Sequence, residues 1–179
     1  MNRILGGALA GLAATAPMTL AMELEHRRLP RHHRYVLPPR EITERVVARA
    51  GLDQALEEEH HQWLTFASHF GYGAAAGAVY ALGPLRAPLP PALTGPLFGL
   101  LVWAVSYLGV MPLLRLFPFA HEEPQRRNWL MVGAHLVWGG TLGVLVLALG
   151  ADEPRAGAPS ELIGPAWSRE RASAAARVL

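Results

Sequence analysis

Four long apolar blocks restrict this chain to a helical fold buried in lipid. They run from about Ile4 to Met22, Trp63 to Leu82, Ala92 to Leu114 and Trp129 to Leu149. Each is long enough, or nearly so, to cross a hydrocarbon core about 30 Å thick, which takes roughly 20 helical residues. Strands fit poorly. The blocks lack alternation, are rich in Ala, Leu and Gly, and are about twice the length a barrel strand requires. Composition agrees: 51% of the residues are hydrophobic and only 17% charged, where a soluble domain carries about a quarter. The first block also has signal-peptide features, with Arg3 ahead of an apolar run. The expectation is a retained helix, because Pro17 lies late in the run and Glu23 and Glu25 follow at once.

Arginine placement gives an expected orientation. All 16 basic residues are Arg. Seven of them (Arg27, Arg28, Arg31, Arg34, Arg40, Arg45 and Arg49) lie in the connection 23–62, and Arg115, Arg126 and Arg127 flank the connection between the third and fourth blocks. The positive-inside rule places both connections in the cytoplasm and both termini outside. The expected location is a bacterial inner membrane. Residues 1–150 are read as the transmembrane domain. Residues 151–179, rich in Ala, Pro, Ser and Arg, are read as a disordered tail with at most a short helix near 168–178.

A motif occurs twice. Trp63-Leu64 is followed by His69, Tyr72, Gly73 and Gly77, and Trp129-Leu130 by His135, Trp138, Gly139 and Gly143 at the same spacings, 66 residues later. A weaker match at 88 residues relates Gly7 and Gly11 to Gly95 and Gly99. Two hairpins of the same topology would make parallel repeats about an axis along the membrane normal. The predicted fold is therefore all-α: a four-helix transmembrane bundle of two parallel-repeat hairpins. Glycines four apart (Gly7/Gly11, Gly73/Gly77, Gly95/Gly99, Gly139/Gly143) let helix backbones approach closely and mark the inward face of each helix.

The histidines sit on that inward face, His69 four residues before Gly73 and His135 four before Gly139. At the helical rise per residue each lies roughly 9 Å inside the cytoplasmic boundary. Thr15, Thr19 and Glu23 form a row at steps of four on the first helix, with Pro17 among them, and Ser106 and Tyr107 lie at a similar level on the third. Ionisable groups at such depth are expensive and often functional. Three uses of this polar layer compete. It binds or passes a proton or small polar solute; or its imidazoles are interhelical hydrogen-bond glue in a structural protein; or the two histidines hold haem b. A metal ion bound by His69 and His135, with Glu23 or His121, is a further alternative. No cofactor is predicted outright. With no cysteine, thiolate ligands and iron–sulfur clusters are excluded.

In the first connection, Pro38-Pro39 precede an amphipathic stretch from Arg40 to Ala50 closed by Gly51. Ile42, Val46, Val47 and Ala50 share a face, so a short helix on the membrane surface is expected. The arginines upstream are expected to fix topology or to contact anionic lipid headgroups. Glu57-Glu58-Glu59-His60-His61 reads as a solvated lead-in to the second block rather than a metal site. No phosphate loop, nucleophile elbow, zinc-protease or dinucleotide motif occurs, which argues against a soluble enzyme. The basic patch lacks interleaved aromatics, so nucleic acid is not an expected partner. The bilayer is, and a homo-oligomer stays open.

The Gly-rich first block ending Thr15-Ala16-Pro17-Met18-Thr19, the stretch Leu37-Pro38-Pro39-Arg40-Glu41-Ile42-Thr43 and the His-containing later blocks resemble small bacterial inner-membrane proteins of uncharacterised function, the YagU-like group. The resemblance covers roughly residues 4–149. It implies a multi-pass membrane protein and carries over no catalytic residue.

Overall fold

The computed structural model describes residues 2–29, 34–83, 89 and 91–150, with the side chains of Pro91 and Ala92 excepted. The tail, Arg31 to His33 and Arg86 lie outside the described residues. Among those described, the chain is all-α: α1 (Arg3–Arg28), α2 (Pro38–Arg49), α3 (Glu58–Leu82), α4 (Pro91–Val105), α5 (Met111–Leu113) and α6 (Gln125–Ala148). A π-helical turn, Ser106–Val110, joins α4 to α5 into one rod, and a 3₁₀ turn, Ala120–Glu122, precedes α6.

Three of these rods, Arg3–Arg28, Leu93–Leu113 and Gln125–Ala148, are long and apolar enough to cross a membrane. The second sequence block does not reach that standard by itself. Thr65, Ser68, His69, Gly71 and Gly73 dilute the apolar character of α3, although it is as long as the others.

Helix ends follow local chemistry. The Asn2 side chain accepts from the Ile4 N–H at 3.0 Å and caps α1. α1 runs six residues beyond the expected boundary at Met22, because ion pairs from Glu23 to Arg27 and Glu25 to Arg28 sit at helical spacing in its polar last turns. Pro17 lies inside it. Pro38 and Pro39 start α2, where a missing N–H costs nothing. Gly51 and Gly83 close α2 and α3 with φ of +68° and +87°, a region that favours glycine.

The π turn has a local cause in Pro112, which was not anticipated. Proline has no N–H and its ring collides with the carbonyl four residues back. One wide turn just ahead of it, in which the Met111 N–H reaches the Ser106 carbonyl, re-registers the rod. It leaves both Ser106 and Tyr107 buried.

α1 packs along α3 and along α6, and α4 packs along α6; α3 and α4 approach each other less closely. Glycine makes these contacts. A methyl group at Gly11 would run into the Gly73 carbonyl oxygen, and one at Gly7 into the Gly77 carbonyl carbon at 3.2 Å. A methyl at Gly95 would meet Gly139, and one at Gly99 the His135 carbonyl carbon at 3.1 Å. The crossing Gly11–Gly73 thus corresponds to Gly95–Gly139. By contact, α1 and α4 are related at 84 residues (Gly11 to Gly95), one helical turn away from the 88 of the sequence match. The core between the rods holds Ala10, Ala14, Met18 and Met22 of α1, Phe98 of α4, and Met131, Ala134, Trp138, Leu142 and Val146 of α6.

α2 is more than a surface helix. It packs on α3 and buries Pro38, Thr43 and Val47, while Val46 and Ala50 of the expected apolar face stay exposed. Its arginines hold it across the end of the helical rods. Arg40 makes two bonds to Glu58 at the start of α3, 2.5 and 2.7 Å. Arg45 donates to the Leu116 carbonyl at 2.8 Å, and Arg49 to the carbonyls of Leu114 and Arg115. The last two groups end the α4–α5 rod, where carbonyls lack helical partners and cations are favoured.

Candidate functional site

A cavity of about 320 Å³ opens between the rods, with α2 across its end. Its floor is Thr15 and Met18 of α1 with Met131, His135 and Trp138 of α6. Its sides are His69, Tyr72 and Gly73 of α3 and Val102, Ser106 and Tyr107 of the α4 rod. Pro39, Ile42, Thr43 and Val47 of α2 close it. Leu64 and Tyr72 of α3 and Val46 of α2, each about half exposed, also line it.

Five of the seven expected polar-layer residues meet here: His69, His135, Thr15, Ser106 and Tyr107. Thr19 and Glu23 do not. They lie one and two turns further along α1 and line a second pocket of about 520 Å³ beside Arg34 to Leu37, with His69 and Pro39 as walls common to both. Glu23 is held by Arg27 at 2.7 Å. Thr15 and Thr19 donate to the carbonyls of Gly11 and Thr15 at 2.9 and 2.8 Å, the usual satisfaction of a hydroxyl inside a helix.

The imidazoles differ in their ties. His135 is 5% exposed, and its Nδ1 lies 2.8 Å from the Met131 carbonyl, so Nδ1 carries the proton and Nε2 is left as an acceptor. The Tyr107 ring packs edge-on against it with centroids 6.0 Å apart. His69 Nε2 is buried without a hydrogen-bond partner among the described residues.

Bonds between rods fall to other groups. Tyr72 and Ser106 share a hydroxyl bond of 2.8 Å across α3 and α4, as do Tyr80 and Thr94, and the Trp138 indole donates to the Gly11 carbonyl at 3.1 Å. Thr43 of α2 meets Ser68 of α3 at 3.1 Å. Tyr72 stands three residues after His69, hence on its face, which is a signal in the motif that could have placed it. The contribution of α2 had no such signal, since nothing local says which way an amphipathic helix will fold back.

Arg127 is a second residue whose importance the sequence concealed. It is 9% exposed and bonds Glu41 of α2 at 2.5 Å and Glu123 at 2.8 Å. The guanidinium also lies over the rings of Tyr35 and Phe117, 4.5 and 4.7 Å from their centroids. Burial pushes the Tyr35 phenol above its ordinary value, with Arg127 opposing. No group of three or more His, Asp or Glu able to hold a metal ion occurs among the described residues.

Nine lining residues are Met, Val, Ile, Leu or Trp and eight carry hydrogen-bonding side chains, but several of those are already bonded within the protein, and the surface the cavity presents is largely apolar. Such a site suits a compact apolar molecule carrying one or two polar atoms better than it suits a hydrated ion. No curated protein and no solved structure matches the chain. A family model described as "Protein of unknown function (DUF1440)" matches residues 22–144, a span that takes in most of both pockets, and the chain belongs to that family.

Proposed function

We propose that this is a multi-pass membrane protein that binds a small, lipid-soluble molecule between its helices. One observation carries the reading. His69 and His135, 66 residues apart in the chain, line a single cavity whose other walls are largely apolar. An acceptor on the ligand would meet His69 if Nε2 carries its proton, and a donor would meet His135 Nε2. The half-exposed Leu64, Tyr72 and Val46 would form a mouth toward lipid near the cytoplasmic interface, giving entry to molecules dissolved in the bilayer. Both termini lie outside in this reading, and the α1/α3 and α4/α6 hairpins act as related halves. Trp63 and Trp129, 66% and 72% exposed, would serve as interfacial aromatics in this reading.

The choice of an apolar ligand over a polar solute rests on the walls. The choice over a purely structural role rests on the histidines: the bond of His135 is within its own helix, and the interhelical bonds come from Tyr72, Tyr80, Trp138 and Thr43. The test is extraction of protein purified in mild detergent, followed by mass spectrometry of small molecules. Wild type should retain an apolar molecule that is lost from a cavity-filling Val102→Trp variant and from His69→Leu/His135→Leu. Equal recovery from all three would overturn the reading. Reporter fusions at each end, active outside, test the orientation.

A further inference from the structure

The second pocket has a character of its own. Arg27, Arg34 and Arg40 line it against a single lining carboxylate, Glu23. Arg40 is engaged with Glu44 and Glu58 and Arg27 with Glu23, but Arg34 donates only to backbone carbonyls, those of Leu29 at 3.3 Å and Arg27 at 3.0 Å, among the described residues. Two imidazole nitrogens in the same pocket, His26 Nε2 and His69 Nε2, are buried with no hydrogen-bond partner among the described residues. His26 is propped edge-on against Tyr35, centroids 5.4 Å apart. Unsatisfied buried polar atoms are costly and point to a group that completes them, and a protonated imidazole nitrogen would do so as a donor. Met22, Val36, Leu37, Pro39 and Phe66 give the pocket an apolar side, with the hydroxyls of Thr19, Thr65 and Tyr35 among them.

A ligand matching this pocket has an anionic head with several acceptor oxygens and a hydrocarbon portion beside it. Phosphate suits the head, because guanidinium groups bind its oxygens in paired fashion and histidines add donors. We infer that the pocket bounded by α1, the segment Arg34 to Leu37, α2 and α3 binds the phosphate headgroup of an anionic phospholipid, with Arg34 and His26 as its principal contacts and the start of an acyl chain along Met22 and Phe66. The inference rests on the membrane reading above but not on any ligand in the histidine cavity. Because His69 walls both pockets, lipid bound here would set the position of its ring in the other.

The test uses the full-length protein in neutral detergent, titrated with short-chain phosphatidylglycerol, with short-chain phosphatidylcholine and with inorganic phosphate, and read by native mass spectrometry and thermal shift. Phosphatidylglycerol should bind and raise the melting temperature, with phosphatidylcholine much weaker. Arg34→Gln and His26→Leu should each weaken phosphatidylglycerol binding, the arginine change by about fivefold, while Val102→Trp leaves it intact. Binding of inorganic phosphate as tight as that of phosphatidylglycerol would overturn the lipid assignment, since the apolar wall would then contribute nothing. Equal binding of both phospholipids would overturn it as well, as would phosphatidylglycerol binding untouched by Arg34→Gln. A protein that stays soluble without detergent would instead defeat the membrane reading, which keeps the two failures apart.

Discussion

Arg127 of α6 and Glu41 of α2 meet at 2.5 Å, 86 residues apart in sequence, in a pocket closed by the rings of Tyr35 and Phe117. Glu41 also accepts from Arg45 at 2.6 Å, and Arg45 reaches on to the Leu116 carbonyl. Through this pair the short helix that closes the cavity is fixed to the last long helix, so cavity closure and bundle assembly share one electrostatic joint.

Breaking that joint from one side should be costly. Arg127→Ala leaves Glu123 without its buried partner and Glu41 with Arg45 alone, and a loss of about 3 kcal/mol is expected, read as a large drop in melting temperature in detergent. Replacing all three charges together, as Arg127→Met/Glu41→Gln/Glu123→Gln, should restore much of the loss. A single variant as stable as wild type would show that the pair is not buried in the working protein.

Glycine substitutions separate close approach from helix propensity. Gly11→Ala drives a methyl into the Gly73 carbonyl and should cost about 1–3 kcal/mol by forcing α1 and α3 apart. Gly71 has open space beyond it, so Gly71→Ala should gain up to about 1 kcal/mol from helix propensity. The same sign for both changes would contradict the packing described.

The tie between α2 and α3 should be acid-resistant. Side-chain bonds from Arg40 hold the Glu58 carboxyl down at about 2, below its ordinary 4.5. A depressed folded value means that the tie contributes fully above the ordinary value and is lost as pH falls through about 2. Hydrogen exchange of α2 amides should therefore be unchanged from pH 7 to 5 and rise between about 4.5 and 2, beyond the intrinsic effect of pH. In Glu58→Gln, α2 should exchange faster at pH 7 and lose that step. An unchanged step in the variant would assign it to another group.

Removing the imidazoles should cost binding rather than folding. His69→Leu eliminates a buried nitrogen that has no partner among the described residues, so stability should stay within about 1 kcal/mol of wild type or rise. Unfolding of the His69→Leu/His135→Leu protein on purification would return the histidines to a structural role. A Soret band in purified wild type, lost in this double variant, would instead establish the haem alternative.

The hydrophobic blocks, the glycine spacing and the two Trp-His-Gly-Gly stretches determine by themselves that the chain forms long helices, which faces turn inward, and that His69 and His135 share those faces. These follow from helical periodicity, a local property of neighbours three and four apart. Tertiary structure decided the rest. Whether Thr19 and Glu23 join the histidines depends on how far α1 runs past the cavity, and it is Gly95, not Gly99, whose contact with Gly139 matches that of Gly11 with Gly73. α2 reads as a surface helix because its apolar residues share one face, and beyond the four-apart glutamates its arginines show no long-range partner in the sequence. Folding supplied Glu58 and the carbonyls at the end of the α4–α5 rod, and so turned an amphipathic segment into the closure of a cavity.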